Sequence, residues 1–290
     1  MSGSEQEGAA GRRHVPWRRA ASALRWGLAV ERQYVRIGFV RKSQFRVEFV
    51  NQVLMDLCFY AAFILTFEIL YGLGGEGTLT LGGWSHGEMR VYMGMVFVAD
   101  GLFMTFLGQQ WHFGVDLKNG NLDAFRVRPG SPAFLYFFQR FSPEGMTNLA
   151  FGLGWLIFAL AGVMPELVDP ADLAWALPAA VAVIAWSQVF LMLAYNVTEF
   201  WLLNSDVGHL VSMLVSNFGE RPLEVYPGAL ARVLKFVVPV AGMAWYPASL
   251  VLGRLDLWFA LGYPLVLAAF ALVVLGLFRR GMRRYESAMG

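Results

Sequence analysis

Charge is scarce in this chain. Asp, Glu, Lys and Arg make up only 15% of its 290 residues, against about a quarter in soluble domains, which excludes an ordinary water-soluble fold. Cysteine is scarcer still. Cys58 stands alone, so no disulfide can form within the chain and no disulfide-built outer domain is expected. The four histidines, His14, His86, His112 and His209, are scattered, with no H-E-x-x-H and no Cys/His cluster. Zinc hydrolysis has no ligand set, and serine catalysis is not expected either. No G-x-x-x-x-G-K-[ST] string occurs, so the chain does not itself hydrolyse ATP. Internal repeats are not evident. No apolar core follows Arg12–Arg13 or Arg18–Arg19 before residue 50, and a secretory or twin-arginine leader is not expected.

What is present in quantity is apolar surface: 57% of residues are hydrophobic, with a mean hydropathy of +0.50. It falls into six long stretches, 50–71, 91–115, 146–163, 173–197, 229–245 and 257–278. A bilayer crossing needs roughly 20 mostly apolar residues. In lipid only helices and closed barrels satisfy their backbone groups, and these runs lack the two-residue alternation of a barrel strand. The expected fold class is an all-α membrane protein with six transmembrane helices. Pro239, Pro247, Gly242 and Gly253 predict a break or bend near the outer end of the fifth span.

A net charge of +2 hides an asymmetry, because residues 1–49 carry ten Lys/Arg against four acids. With a cytoplasmic N-terminus, 21 bases fall on inner segments, Arg221, Arg232 and Lys235 among them, and only Arg90 and Arg254 on outer ones. By the positive-inside bias both termini are expected in the cytoplasm. The expected division has a disordered N-terminus (1–15), a cytoplasmic interfacial helix (16–49), a six-span domain (50–278) and a basic tail (279–290). In 16–49 arginines recur among Trp17, Leu24, Leu28, Val35 and Phe39. This pattern fits an amphipathic helix lying among lipid headgroups, or a simple positive anchor. Residues 72–87 read as a Gly-rich outer connection, and residues 199–227 as a second cytoplasmic region containing an amphipathic helix at Val207, Leu210, Val211 and Leu214.

Three carboxylates interrupt the spans: Asp56, Glu68 and Asp100. Ionisable groups at that depth are costly and mark candidate translocation-pathway positions. Asp56 and Glu68 lie ~18 Å apart along one helix and cannot share an ion directly. Asp100, near the midplane, either lines a polar path or is hydrogen-bonded between helices. Ala150 and Gly154 form a small-xxx-small pair, an expected helix contact. The inner loop 116–132 combines Leu117, Leu122 and Phe125 as one apolar face with Lys118, Asp123, Arg126 and Arg128 as the other.

That loop reads G-N-L-D-A-F-R-V-R-P from Gly120 to Pro129. With P-L-E-V-Y-P-G at 222–228, V-V-P-V-A at 237–241, Y-P-A-S-L-V-L-G at 246–253 and R-R-Y-E-S-A at 283–288, it resembles the six-span permease subunits of bacterial type-2 ATP-binding-cassette (ABC) exporters, the branch described as ABC-2 family transporter proteins. Arg126 and Gly130 depart from the usual pattern. The resemblance implies a permease without enzymatic activity of its own, in the bacterial inner membrane. It further implies a second permease chain, a separate cytoplasmic ATPase that holds ATP and Mg, no cofactor on this chain and no nucleic-acid partner. Lys118, Gly120, Leu122, Asp123, Arg126, Arg128 and Pro129 become the expected ATPase-coupling residues. The alternative reading of that loop is a charged segment that only fixes topology. An ion-coupled transporter or channel using the intramembrane carboxylates is the competing function.

Overall fold

The computed structural model describes residues 16–74, 79–167, 169–202 and 205–285. The expected disorder of 1–15 and the final E-S-A letters of the tail lie outside these residues. Among them no strand forms, only an isolated bridge between Leu81 and Trp84. The helices are α1 (Pro16–Gln44), α2 (Arg46–Leu73), α3 (His86–Phe106), α4 (Phe113–Lys118), α5 (Asp123–Arg126), α6 (Pro132–Phe137), α7 (Pro143–Leu167), α8 (Pro170–Val197), α9 (Glu199–Leu202), α10 (Ser205–Gly219), α11 (Gly228–Phe236), α12 (Trp245–Val251) and α13 (Leu257–Arg284). Five of them, α2, α3, α7, α8 and α13, are long and apolar enough to cross a membrane.

Several helix bounds differ from expectation. Helix α2 begins at Arg46, before residue 50. Helix α3 begins at His86 and stops at Phe106, well short of 115. Its start is fixed by a capping box in which the Ser85 hydroxyl accepts from the Glu88 amide and the Glu88 carboxylate accepts from the Ser85 amide. Gly83–Gly87 spell G-x-S-x-G, a string whose serine hydroxyl caps α3. Helix α13 continues to Arg284, so the basic tail residues Arg279, Arg280, Arg283 and Arg284 extend the last helix. The stretch 229–245 is not one helix. It contains α11, a short turn at Val240–Gly242 and the start of α12, because Pro239 removes a backbone donor just where α11 would continue.

The two ends of the bundle are chemically distinct. At the basic end, Phe113 packs on Phe200 at 5.5 Å and on Phe278 of α13 at 6.5 Å, joining the α4–α6 region to the ends of α9 and α13. At the far end, Arg254 meets Glu88 at 3.0 Å and stacks over Trp84 at 4.2 Å. Helix α8 runs towards the basic end, and so does α13. The chain must therefore return to the far end between them, and α10 is that passage. It begins beside α9 and ends where the Tyr92 hydroxyl donates to the carbonyls of Gly219 (2.9 Å) and Arg221 (2.8 Å).

This corrects the expected grouping of residues 219–227 with the basic inner segments, whereas α9 stays at the basic end. Glu224 accepts from the Trp84 indole at 3.1 Å, which places Arg221, Arg232 and Lys235 with the far-end loop. Arg254 and Arg90 already lie there. Among the described residues the basic end keeps sixteen Lys/Arg against these five, so the asymmetry survives the correction.

The tightest packing joins α3 to α7, and glycine permits it. A Cβ on Gly152 would stand 2.7 Å from the Phe97 carbonyl carbon, and one on Gly94 2.9 Å from a Leu156 methyl. Gly101 and Gly145 likewise face the Leu149 and Thr105 backbones. The expected pair does not carry this contact: Ala150 is exposed and a Cβ on Gly154 would meet nothing. Close approach is set by glycines seven apart on each helix, a spacing that returns them to one face.

Candidate functional site

At the basic end, α4, α5 and α6 fold into an elbow on a buried aromatic base. Leu117, Leu122 and Phe125 are buried, as the apolar face of the loop predicts, in one cluster with Phe113, Tyr136, Phe137, Phe200 and Phe278. The Asp116 carboxylate ties the elbow together. It accepts from the Tyr136 hydroxyl at 2.5 Å, the Asn121 amide at 2.8 Å and the buried Gln109 amide at 3.1 Å. Burial, then the bond to Asp116, push the Tyr136 pKa up, so this hydroxyl stays a donor. Gly120 is buried with φ +74°, a left-handed turn that a side chain would strain, which gives the glycine of the G-N-L-D string its physical reason.

The expected coupling residues sit on this base with their charges outward. Lys118, Arg126, Arg128 and Pro129 are exposed, while Leu122 and Gly120 are buried. Arg126 pairs with Asp123 at 3.6 Å and reaches over the Tyr285 ring, while Arg128 lies over Phe125 at 5.1 Å. Gly130 has φ +123°, and a Cβ there would collide with the Trp26 ring of α1. The departure at Gly130 thus lets α1 lie against the elbow. Helix α1 is pinned again by Lys42 on Glu144 at 2.9 Å and by Phe39 on Phe141 at 5.7 Å.

The three intramembrane carboxylates do not converge. Glu68 is locked at the far end by Arg90 at 2.7 Å and His86 at 2.9 Å. Asp56 accepts from Asn148 of α7 and Gln52, both at 2.9 Å. Asp100 accepts from the Tyr60 hydroxyl of α2. Asp100 also lines a cavity of about 200 Å³ between α3, α8 and α10, whose polar lining includes Gln188, Ser212, Ser216 and Glu220. A larger cavity of about 480 Å³ opens towards the basic end, lined by Arg41, Arg140, Asp56 and parts of α1. Met104 and Trp111 line both cavities.

Sequence reasoning missed the far-end clamp. The Glu224 carboxylate accepts from the indoles of Trp84 (3.1 Å) and Trp245 (2.7 Å), with Lys235 at 3.9 Å. Lys235 itself lies over the Trp245 ring at 3.7 Å. The available signal was an acid flanked by two prolines in P-L-E-V-Y-P-G. Asp116 and Gln109 were missed because nothing local marks a hub that both share with Tyr136 of α6.

Five apolar helices of membrane-crossing length, packed around cavities lined by both polar and apolar groups, define a multi-pass membrane protein. The family described as ABC-2 family transporter protein matches residues 57–289. The chain belongs to that family, and so is a membrane permease component of an ABC transporter. No curated protein and no solved structure matches the chain.

Proposed function

We propose that this chain works with a separate cytoplasmic ATPase, which binds ATP and Mg, and with a second permease chain, the same or related, to export a substrate across the bacterial inner membrane. In this reading six passages cross the bilayer, α10 being the short fifth, and both termini face the cytoplasm. The division into an interfacial helix, a membrane domain and a basic C-terminal end follows from it.

The observation that carries the reading is the elbow. Exposed Lys118, Arg126 and Arg128 stand on a base continuous with α3, α9 and α13. An ATPase pushing on these charges would act on a rigid aromatic block, and the block on the helices that line the mid-bundle cavity. Such a shift requires contacts that differ between two states, and exposed charges can be re-paired without unpacking the core. The ion-coupled alternative draws no comparable support, since Glu68 is salt-bridged and Asp56 lies in a different cavity from Asp100.

The test is co-purification with the cognate ABC ATPase from mild detergent. Wild type should carry the ATPase. A variant with charges reversed at Asp123, Arg126 and Arg128 should lose it while retaining its elution profile and melting temperature. Absence of ATPase on well-folded wild type would overturn the proposal.

A further inference from the structure

We infer that the cavity between α3, α8 and α10 is a binding site for an organic cation with an apolar body. The inference rests on the permease reading of this cavity and adds the class of ligand.

Two carboxylates, Asp100 and Glu220, line the cavity. Among the described residues neither takes part in an ion pair, unlike Glu68, Glu88, Glu144 and Glu224. The hydrogen-bond partner of Asp100 is the neutral Tyr60 hydroxyl. Arg221 follows Glu220 in the chain but is exposed and does not line the cavity. Two acidic groups alone would not define a site. A second observation is the Ser212 side chain, which lines the same cavity, is only 5% exposed and makes no hydrogen bond among the described residues. Gln188, 6% exposed, uses its amide nitrogen on the Ala99 carbonyl at 3.1 Å, leaving its acceptor oxygen for a ligand.

The remaining walls select the body of the ligand. Phe103, Met104, Trp111, Met213 and Met243 line the cavity. An aromatic face such as that of Trp111 attracts an organic cation, and methionine adapts to irregular apolar shapes. Paired carboxylates offset the cost of bringing a positive group to this depth, whereas an anion would meet two like charges. A volume of about 200 Å³ suits a head group with one ring or a short chain.

The probe is benzyltrimethylammonium, a permanent cation, with benzylsulfonate as the anion of similar shape. Both are titrated calorimetrically into the purified chain in lipid nanodiscs, with empty nanodiscs subtracted. The cation should bind and the anion should not. Asp100→Asn and Glu220→Gln should each weaken the cation at least about tenfold, a loss of one charge partner at close range. Cys58→Ser, an exposed position outside the cavity, should leave binding unchanged.

Equal affinity for the two probes, no binding of the cation to wild type, or cation binding indifferent to both carboxylate substitutions would each overturn the inference. The charge preference of wild type decides the matter even where a variant fails to fold. The outcome is separable from the permease proposal. Cation binding without ATPase docking would sink the ATPase-coupled reading and keep the site. Docking without a charge preference would sink the cationic ligand alone.

Discussion

The two ends of this bundle use charge in opposite ways. At the far end the ionised groups satisfy one another: Glu68 with Arg90, Glu88 with Arg254, and Glu224 with Lys235 and two indoles. At the basic end Lys118, Arg126 and Arg128 are exposed on a cluster of buried aromatic rings, Arg126 over Tyr285 and Arg128 over Phe125. The far end has spent its charges on holding three connections together. The elbow leaves Lys118, Arg126 and Arg128 exposed at the surface.

The comparison can be broken at its base. Phe113 is fully buried and touches Tyr136, Phe137, Phe200 and Phe278. Phe113→Ala should lower stability by about 3–5 kcal/mol, read as a lowered detergent melting temperature, and should abolish ATPase co-purification. An unchanged melt would mean that the elbow does not rest on this ring. Glu224→Ala tests the opposite end, where it leaves two indole donors without their acceptor. The expected loss is about 1–3 kcal/mol, with ATPase co-purification intact. Loss of the ATPase together with a native melt would show that the ends are not independent.

Gly120→Ala sharpens the account of the elbow turn. Its φ of +74° makes a side chain cost about 1–2 kcal/mol, and hydrogen exchange should quicken at residues 117–125 before the rest of the chain. Uniform exchange would contradict a locally strained turn. The smallest effect concerns α1. Burial pushes Glu31 up to about 6, and neither of its carboxylate oxygens has a hydrogen-bond partner among the described residues. Because the folded pKa lies above the ordinary value, the penalty is present above about pH 6 and is relieved as the group protonates below it. Exchange protection of α1 should therefore rise as pH falls from 7 to 5.5, and Glu31→Gln should flatten that response.

Much of the fold was legible because lipid imposes length and polarity on each crossing. The five long helices lie where the apolar runs lie, and the prolines and glycines of 239–253 announced the break after α11. Hydropathy could not assign α10, however. A 15-residue passage that lines the cavity with Ser212, Ser216 and Asn217 and leaves Leu210, Met213 and Leu214 exposed has two faces, so its sequence resembles an amphipathic loop helix. That misplacement carried Arg221, Arg232 and Lys235 to the wrong end. The elbow's apolar face was readable from Leu117, Leu122 and Phe125, whereas its hub at Asp116 depends on Tyr136, which only the folded chain brings near. Asp56, Glu68 and Asp100 stood out by depth, but depth alone does not reveal that Arg90 neutralises one and that only Asp100 faces the mid-bundle cavity.

The most direct test of the difference between the ends is site-specific cross-linking of the assembled transporter. Cys58 is replaced by serine, and a single cysteine is introduced either by Arg128→Cys in the elbow or by Val225→Cys beside the far-end clamp. Both positions are exposed. A short thiol-to-amine cross-linker should join position 128 to the ATPase and leave position 225 unlinked. A link from position 225, or none from position 128 in an intact complex, would contradict the elbow as the docking end.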